Sequence, residues 1–190
     1  MAFPDAWQEK AFVTITEKDG NDYEFRAFTR NIRIRYGAKD VEGVPVLSGG
    51  RILKYSPEAD TTITLELYAI KGADQPGIIQ LFAGDTSDTT QPVSVSNSMT
   101  RKNIRLAILW TEDTSVTSAT SAVTAGNAAT RVVFTNARIT EYEEEFSTDE
   151  VLKATVTIKV PPYDANGNSC ITWESTDGSD TEGLAALSSY

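Results

Sequence analysis

Alternating apolar and polar positions run through most of this chain and predict β-strands. The clearest strand is 151–161, in which apolar side chains share one face while lysine and threonine share the other. Similar patterns predict strands at 11–17, 23–36, 61–70, 101–110, 130–143 and 169–175. One helix is predicted at 75–83, where Asp74 can cap the first turn and Gly84 can end the last. We therefore expect a mainly β fold, a β-sandwich or barrel with one flanking α-helix and a long loop.

The strand 23–36 carries an irregularity in its apolar pattern. Tyr23 and Phe25 share one phase, whereas Ile32 and Ile34 share the other. Because a strand keeps period two, this change predicts a bulge near Ala27–Phe28.

The segments between these strands divide the chain into an arm, a β domain and a tail. Residues 1–10 are expected to form an N-terminal arm, 11–175 the β domain, and 176–190 a C-terminal tail that is frayed. The loop 37–60 is rich in glycine and proline, with short strand pieces around a Ser-Gly-Gly turn. A loop of this length either contacts a partner or is plain irregular structure. The loop 112–129 consists largely of Ser, Thr, Ala and Gly and is expected to be solvated.

Composition and charge narrow the classes of function. The 190 residues suit one domain. The 27 acidic against 17 basic residues give a net charge of −10, which argues against a nucleic-acid binder with a basic face and against anionic membranes. No apolar run approaches the roughly 20 residues that span a bilayer, and the N-terminus lacks the pattern of a signal peptide. The single cysteine, Cys170, excludes an internal disulfide and is expected to be a small buried strand residue.

Residues that carry chemistry are mostly missing from the sequence. There is no histidine, which excludes Ser-His-Asp, Cys-His and histidine-based metal sites. No phosphate-binding loop is present. Asp164–Ser169 begins like a calcium loop but lacks its glycine and its final glutamate, so we interpret it as a hairpin turn on Asn166-Gly167. No catalytic residue, cofactor or metal is predicted, and the protein is not expected to be an enzyme.

Two kinds of side chain are candidates for contact with other molecules. Phe3 and Trp7 are large apolar groups in the arm and are expected to dock on the same subunit or on a neighbour. The acidic cluster from Glu141 to Glu150 is either a solvated hairpin tip or part of a charged surface of an oligomer. Trp110 and Trp173 lie in the apolar phase of their strands and are expected in the core.

The amino-acid sequence of the C-terminal half resembles one known family. The phrase TNARITEYEEEFSTDEVLKATVTIKVPP, followed by a turn and NSCITWES, is similar to the tail tube proteins (major tail proteins) of tailed bacterial and archaeal viruses. The order of elements over 11–175 is similar as well. The resemblance implies a β domain of tail-tube type, six copies of which form a ring, with rings stacked into a hollow tube for genome delivery.

The resemblance also implies where contacts and partners lie. Contacts between rings or subunits would come from the arm and the loop 37–60, and the candidates are Phe3, Trp7, Val44, Val46, Leu47, Arg51, Leu53 and Tyr55. A lumen or charged surface would carry Arg33, Arg35, Glu141, Glu143, Lys153 and Lys159. The implied partners are further copies of the chain, other tail proteins (tape measure, terminator, baseplate or sheath) and DNA in transient, non-specific passage, with no membrane. The implied location is the virion tail, after assembly in the host cytoplasm.

Two other classes of function remain as alternatives. A monomeric β-sandwich that binds carbohydrate or another ligand would require a row of aromatic side chains on one strand face. A glycosidase would require two carboxylates across a cleft, and a chain with 27 acidic residues always offers such a pair, so the pattern has little specificity.

Overall fold

The computed structural model describes residues 10–18, 20, 22–25, 29–55, 57–68, 78–83, 103–145 and 153–190. It is mainly β with one short helix, as predicted. In chain order its elements are β1 (Lys10–Glu17), β2 (Asp22–Glu24), β3 (Thr29–Arg35), β4 (Val41–Pro45), β5 (Arg51–Tyr55), β6 (Thr61–Tyr68), α1 (Ile78–Ala83), β7 (Ile104–Thr111), β8 (Ala128–Glu145), β9 (Lys153–Val160) and β10 (Ile171–Asp177).

The strands form one open antiparallel sheet with a separate hairpin. Among the described strands the order is β2-β1-β7-β8-β9-β6-β3, β10 pairs with β8, and β4 pairs only with β5. The first half of β8 pairs with β7 and β10, and its second half pairs with β9. The change of partner occurs next to Asn136, whose φ of 51° coincides with a shift in register against β7. A bulge of this kind bends a strand, so β8 can belong to both parts of the sheet.

The larger apolar core lies between the two parts of this sheet and α1. It confirms the predicted face of β6, since Ile63, Leu65 and Leu67 are all buried. Phe82 of α1 stacks on Tyr142 of β8 with 5.5 Å between ring centroids, and this contact fixes the helix to the sheet.

A second apolar cluster covers the opposite face of β1, β7 and the first half of β8. Phe12 and Leu109 pack there against Val116 and Val123 of the loop 112–129. The expectation of a solvated loop is therefore wrong, because the few apolar side chains of the loop are buried against the sheet. This cover also explains why β1 and β7 are buried on both faces.

The C-terminal tail is ordered against the same surface, so the expectation of a frayed tail is wrong. Leu184 and Leu187 pack on the second cluster. The N–H of Leu187 donates to the carbonyl of Thr120, and the carbonyl of Leu184 accepts from Val123. The phenol of Tyr190 accepts a 2.8 Å hydrogen bond from the N–H of Asn136 and lies against the guanidinium of Arg105, which is 5.6 Å from its ring centroid.

The predicted single strand 23–36 is wrong, because two separate strands occupy it. β2 pairs with β1, whereas β3 pairs with β6 in the other part of the sheet. The change in apolar phase thus coincides with a change of partner strand. The predicted bulge at Ala27–Phe28 lies outside the described residues.

Several smaller predictions have mixed outcomes. Cys170 is buried, as expected. Trp110 packs half-buried against the larger core, but Trp173 is 57% exposed, so its assignment to the core is wrong. The helix begins at Ile78 in the described part of the chain, and its predicted cap and stop residues lie outside that part.

Candidate functional site

The β4–β5 hairpin is the most exposed apolar element of the described chain. Five cross-strand pairs, from Val41 with Tyr55 to Pro45 with Arg51, hold it in register. Gly49 allows the turn because its φ is +81°, a conformation that side chains with a Cβ disfavour. Leu47 stands at the turn with no cover at all, and apolar side chains on both strands are also open to solvent: Val41, Val44, Ile52 and Leu53.

The root of the hairpin is held tightly to the sheet. The N–H of Gly37 donates to the Thr61 hydroxyl at 3.2 Å, and the N–H of Ala59 donates to the Ala38 carbonyl at 3.1 Å. A Cβ at position 37 would come within 1.7 Å of the Ala59 carbonyl oxygen, so only glycine fits there. The hairpin is therefore anchored at its root, while its own sides and tip are open.

A second candidate surface is the solvent-facing side of β3, β6, β9 and the second half of β8, here called the polar face. Residues directly opposite in antiparallel strands point to the same face. The register places the side chains in four rows across the strands: Arg35, Thr62, Lys159 and Arg138; Arg33, Thr64, Thr157 and Glu141; Asn31, Glu66, Thr155 and Glu143; and Tyr68, Lys153 and Glu145.

Charge is segregated along the polar face. The first row carries three cations and no carboxylate, whereas the third carries two carboxylates and no cation. Apart from Tyr68, these rows hold no aromatic or large apolar side chain, so the face is a hydrated wall and not a surface that could bury itself against an apolar partner. On the other side of β8, which faces the core and α1, burial raises the pKa of Tyr142, and the neighbouring Glu144 carboxylate, which accepts a hydrogen bond from the Tyr142 hydroxyl, raises it further.

The structure brings the charged candidates together. All six of them lie on the polar face: Arg33, Arg35, Glu141, Glu143, Lys153 and Lys159. The sequence alone could not show this, because the shared face depends on the register of four strands.

The candidates for contact between subunits are divided. Those of the hairpin are exposed or half-buried at its sides and turn: Val44, Val46, Leu47, Arg51 and Leu53. Tyr55 belongs to β5 by its backbone, but its side chain lies outside the description. Phe3 and Trp7 also lie outside the described residues.

Sequence reasoning missed an exposed aromatic pair at the hairpin root. Tyr36, just after β3, is 45% exposed, and Trp173 of β10 is 57% exposed. Partial burial raises the pKa of Tyr36. Among the described strands β10 pairs only with β8, and this edge position, which the sequence does not show, leaves Trp173 with fewer neighbours to cover its side chain.

No cluster of three or more metal-ligating side chains occurs in the described part of the chain. The turn interpretation of the Asp164 segment is confirmed. The Asp164 carboxylate accepts hydrogen bonds from the N–H groups of Asn166 and Asn168, both at 2.8 Å, and Gly167 adopts a positive φ. Bonds from Asn168 lower the pKa of Asp164. Among the described residues, no helix is long and apolar enough for a membrane span.

Comparison with known proteins gives matches in structure only. No family model and no curated protein sequence matches this chain. Its fold is similar to a chain in the tube-terminating cap of the anti-feeding prophage, with a TM-score of 0.52, 10% identity, and coverage of 93% of this chain and 94% of that one. It is also similar to a chain in the anti-feeding prophage baseplate, with a TM-score of 0.51, 11% identity, and coverage of 92% and 97%.

A third match is a chain in the sheath/tube terminator of the extracellular contractile injection system PVC, with a TM-score of 0.50, 12% identity, and coverage of 92% and 97%. These structures are components of phage-like contractile systems and not enzymes. The alignments span nearly the whole of both chains in each pair. The chain therefore has the tail tube protein fold.

Proposed function

We propose that this chain is a structural subunit that assembles into hexameric rings, and that these rings stack into a hollow tube that conducts the genome. The observation that carries the proposal is the β4–β5 hairpin, an anchored element with five exposed apolar side chains in the described part of the chain. Exposed apolar surface of this kind marks a site of association.

The polar face is a second feature that supports the proposal. Its inner side forms one wall of the core, and its outer side carries polar and charged side chains apart from Tyr68. A conduit needs this combination, because its lumen must stay wet while its wall is packed. Among the described strands, β2 and β3 end the sheet path, and we propose that neighbouring copies cover their outer edges.

The structural neighbours supply the context for symmetry and location. One of them belongs to a baseplate solved with six-fold symmetry, and the others belong to caps and terminators of tubes. We accordingly propose a tail-associated location after assembly in the host cytoplasm. The proposed partners are further copies of this chain and the tape measure, terminator, baseplate or sheath proteins of a tail.

Negative-stain electron microscopy and analytical ultracentrifugation of the purified protein test this proposal. We expect hollow particles with six-fold end views and tubes of regular ring spacing. The variant Leu47→Glu places a charge at the hairpin tip and is expected to abolish tubes while leaving the circular dichroism spectrum unchanged.

The matched control is Thr117→Glu, which adds the same charge at an exposed position of the loop that covers the second cluster. This control should assemble like the wild type. A wild-type protein that stays monomeric across salt and protein concentration would refute the proposal.

One observation favours a second candidate function. The exposed pair of Tyr36 and Trp173 is the kind of aromatic surface that a carbohydrate-binding module uses. Saccharide binding by a stable monomer, lost in Trp173→Ala, would favour that function over tube formation.

A further inference from the structure

The bend of β8 joins two parts of the sheet. The first part consists of β1, β2, β7, β10 and the first half of β8, and the second consists of β3, β6, β9 and the second half of β8. β10 pairs with β8 up to Phe134 and β9 pairs with it from Arg138, so residues 135–137 connect the two parts. Against β7, Arg105 lies opposite two residues of β8, one of them Asn136, which is the arrangement of a β-bulge.

Tyr190 of the C-terminal tail forms hydrogen bonds at this bulge. The N–H of Asn136 donates to the Tyr190 phenol oxygen at 2.8 Å, and the Tyr190 hydroxyl donates to Oδ1 of Asn136 at 3.4 Å. The φ of Asn136 is 51°, a conformation that residues other than glycine adopt in few places. The main-chain N–H and the side-chain oxygen of the bend residue are therefore both held by one phenol group.

The ring of Tyr190 is held from the opposite strand of the bulge. The Arg105 guanidinium lies 5.6 Å from the ring centroid, a cation–π contact. The same guanidinium donates to the Ser188 carbonyl at 2.6 Å and to the Thr16 hydroxyl at 3.2 Å, and it lies 3.6 Å from the Asp22 carboxylate. The Arg105 side chain is 6% exposed, so its position is fixed. The two strands of the bulge thus hold Tyr190 between them.

The path of the tail towards the bulge is set by its main chain. Hydrogen bonds link the main chain of the tail to the loop 112–129 and to β8 at three positions: Leu184, Ala185 and Leu187. At Tyr190, in contrast, the side chain makes the hydrogen bonds. The hydroxyl of Tyr190 can therefore be removed without touching the hydrogen bonds that hold the tail along the sheet.

We propose that Tyr190 is a positioning residue that holds the bend of β8, and with it the relative orientation of the two parts of the sheet, through its contacts with Asn136 and Arg105. The apolar core between the two parts does not fix their angle alone, because the hydrophobic effect is non-directional. The hydrogen bonds at Asn136 are directional. The polar face belongs to the second part, so Tyr190 sets how that face is oriented relative to the rest of the subunit. The inference concerns a single subunit and goes beyond the proposed tube role.

Hydrogen exchange resolved to single amides tests the first step in the dispersed subunit. In Tyr190→Phe the ring stays, but the N–H of Asn136 loses its acceptor. Its exchange should become about tenfold faster or more, because a factor of ten corresponds to about 1.4 kcal/mol, the order of one hydrogen bond. The amide of Leu187 should stay protected. The matched control is Tyr142→Phe, which removes from β8 itself a phenol hydroxyl that donates to Glu144.

The distance between the two parts tests the second step. Spin labels on Arg33→Cys of β3 and Thr172→Cys of β10 occupy exposed positions on the two parts. Double electron–electron resonance should give a narrow distance distribution in the otherwise unchanged protein and a broader one in Tyr190→Phe. Protein without added cysteines controls for labelling of the buried Cys170, and circular dichroism checks that each variant is folded.

Three results would overturn the inference. The first is exchange of the Asn136 amide that is no faster in Tyr190→Phe than in Tyr142→Phe. The second is an unchanged distance distribution in Tyr190→Phe, because Tyr190 would then cap the bulge without positioning the two parts. The third is faster exchange of Leu187, which would show that the hydroxyl holds the tail and not the bend. None of these results bears on tube formation by the wild type, so the two proposals stand or fall separately.

Discussion

Replacing Arg131 with alanine is expected to destabilise the fold and release the C-terminal segment. The Arg131 side chain is 1% exposed, the most buried charge of the described chain. Its guanidinium donates to the Glu174 carboxylate at 2.7 Å, to the Ser121 carbonyl at 3.1 Å and to the Ala185 carbonyl at 2.6 Å. It thereby ties β8 to β10, to the loop over the second cluster and to the tail.

The magnitude follows from what the substitution leaves behind. Removing one partner of a buried ion pair costs about 3–5 kcal/mol, because the other charge stays buried and unpaired. The side chain of Glu174 is 34% exposed and can regain water, so the lower end, about 3 kcal/mol, applies. For a chain of this size each kcal/mol lowers the melting temperature by roughly 2–4 °C, which gives a decrease of roughly 6–12 °C.

Denaturant unfolding of the dispersed subunit measures this loss, and hydrogen exchange of residues 184–190 reports release of the tail. The control is Arg138→Ala on the same strand, where the guanidinium is exposed and donates to Asn103. That substitution should cost less than about 1 kcal/mol. A loss below about 1 kcal/mol in Arg131→Ala, or a tail that remains protected in it, would refute the reasoning.

Two further predictions concern the same side of the molecule. A side-chain hydrogen bond from Ser115, helped by backbone bonds from Ser115 and Thr124, lowers the pKa of Asp113 to about 2. Because this folded-state pKa lies below the ordinary value of 3.8, the stabilisation is present above about pH 4 and is lost as the pH falls through 2. Between pH 5 and pH 1.5, urea unfolding should show that the wild type loses about 2 kcal/mol more of its free energy of unfolding than Asp113→Asn does. An equal dependence of the unfolding free energy on pH in the two proteins would contradict this. Gly183→Ala would bring a Cβ within 1.8 Å of the Val123 carbonyl oxygen, so it should expose the tail to limited proteolysis, whereas tail protection equal to the wild type would count against the close packing.

The strands that sequence reasoning located best are those with one wet and one dry face. In β6 and β9 the alternation alone identified the buried side chains, because apolar and polar residues alternate in a strand that is buried on one face only. In β1 and β7 the other face is also covered, and the sequence of these strands does not indicate which segment covers it.

The loop 112–129 and the tail show why local composition failed. Val116 and Val123 are isolated apolar residues in a polar segment, and Leu184 and Leu187 lie some sixty residues further along the chain. Neither segment could bury enough area alone, and each is ordered by the other and by the sheet. Burial of this kind depends on contacts distant in sequence, which a composition argument does not contain.

The candidate surfaces were predictable by residue type but not by arrangement. The glycines and prolines of the loop 37–60 indicated turns, and its valines and leucines indicated contact. The row that joins Arg35, Lys159 and Arg138 depends on three pairings between strands far apart in sequence. The exposure of Trp173 was missed because an apolar side chain in a strand indicates core unless the edge of the sheet is known.

The net charge of the chain does not describe its polar face. The rows of that face hold five cations and four carboxylates, a net of +1, whereas the whole chain carries −10. The acidic excess therefore lies on other surfaces.

In the proposed tube, a lumen formed by the polar face would not repel DNA through a uniformly acidic wall. Its cationic row would attract phosphates, and its carboxylate row would repel them. These two rows lie about 14 Å apart along the strands, because four residues separate them. Rows of opposite charge at this spacing would weaken both the attraction and the repulsion of a DNA backbone with regularly spaced charges. The genome would then pass with low friction, because attraction and repulsion would cancel along the wall.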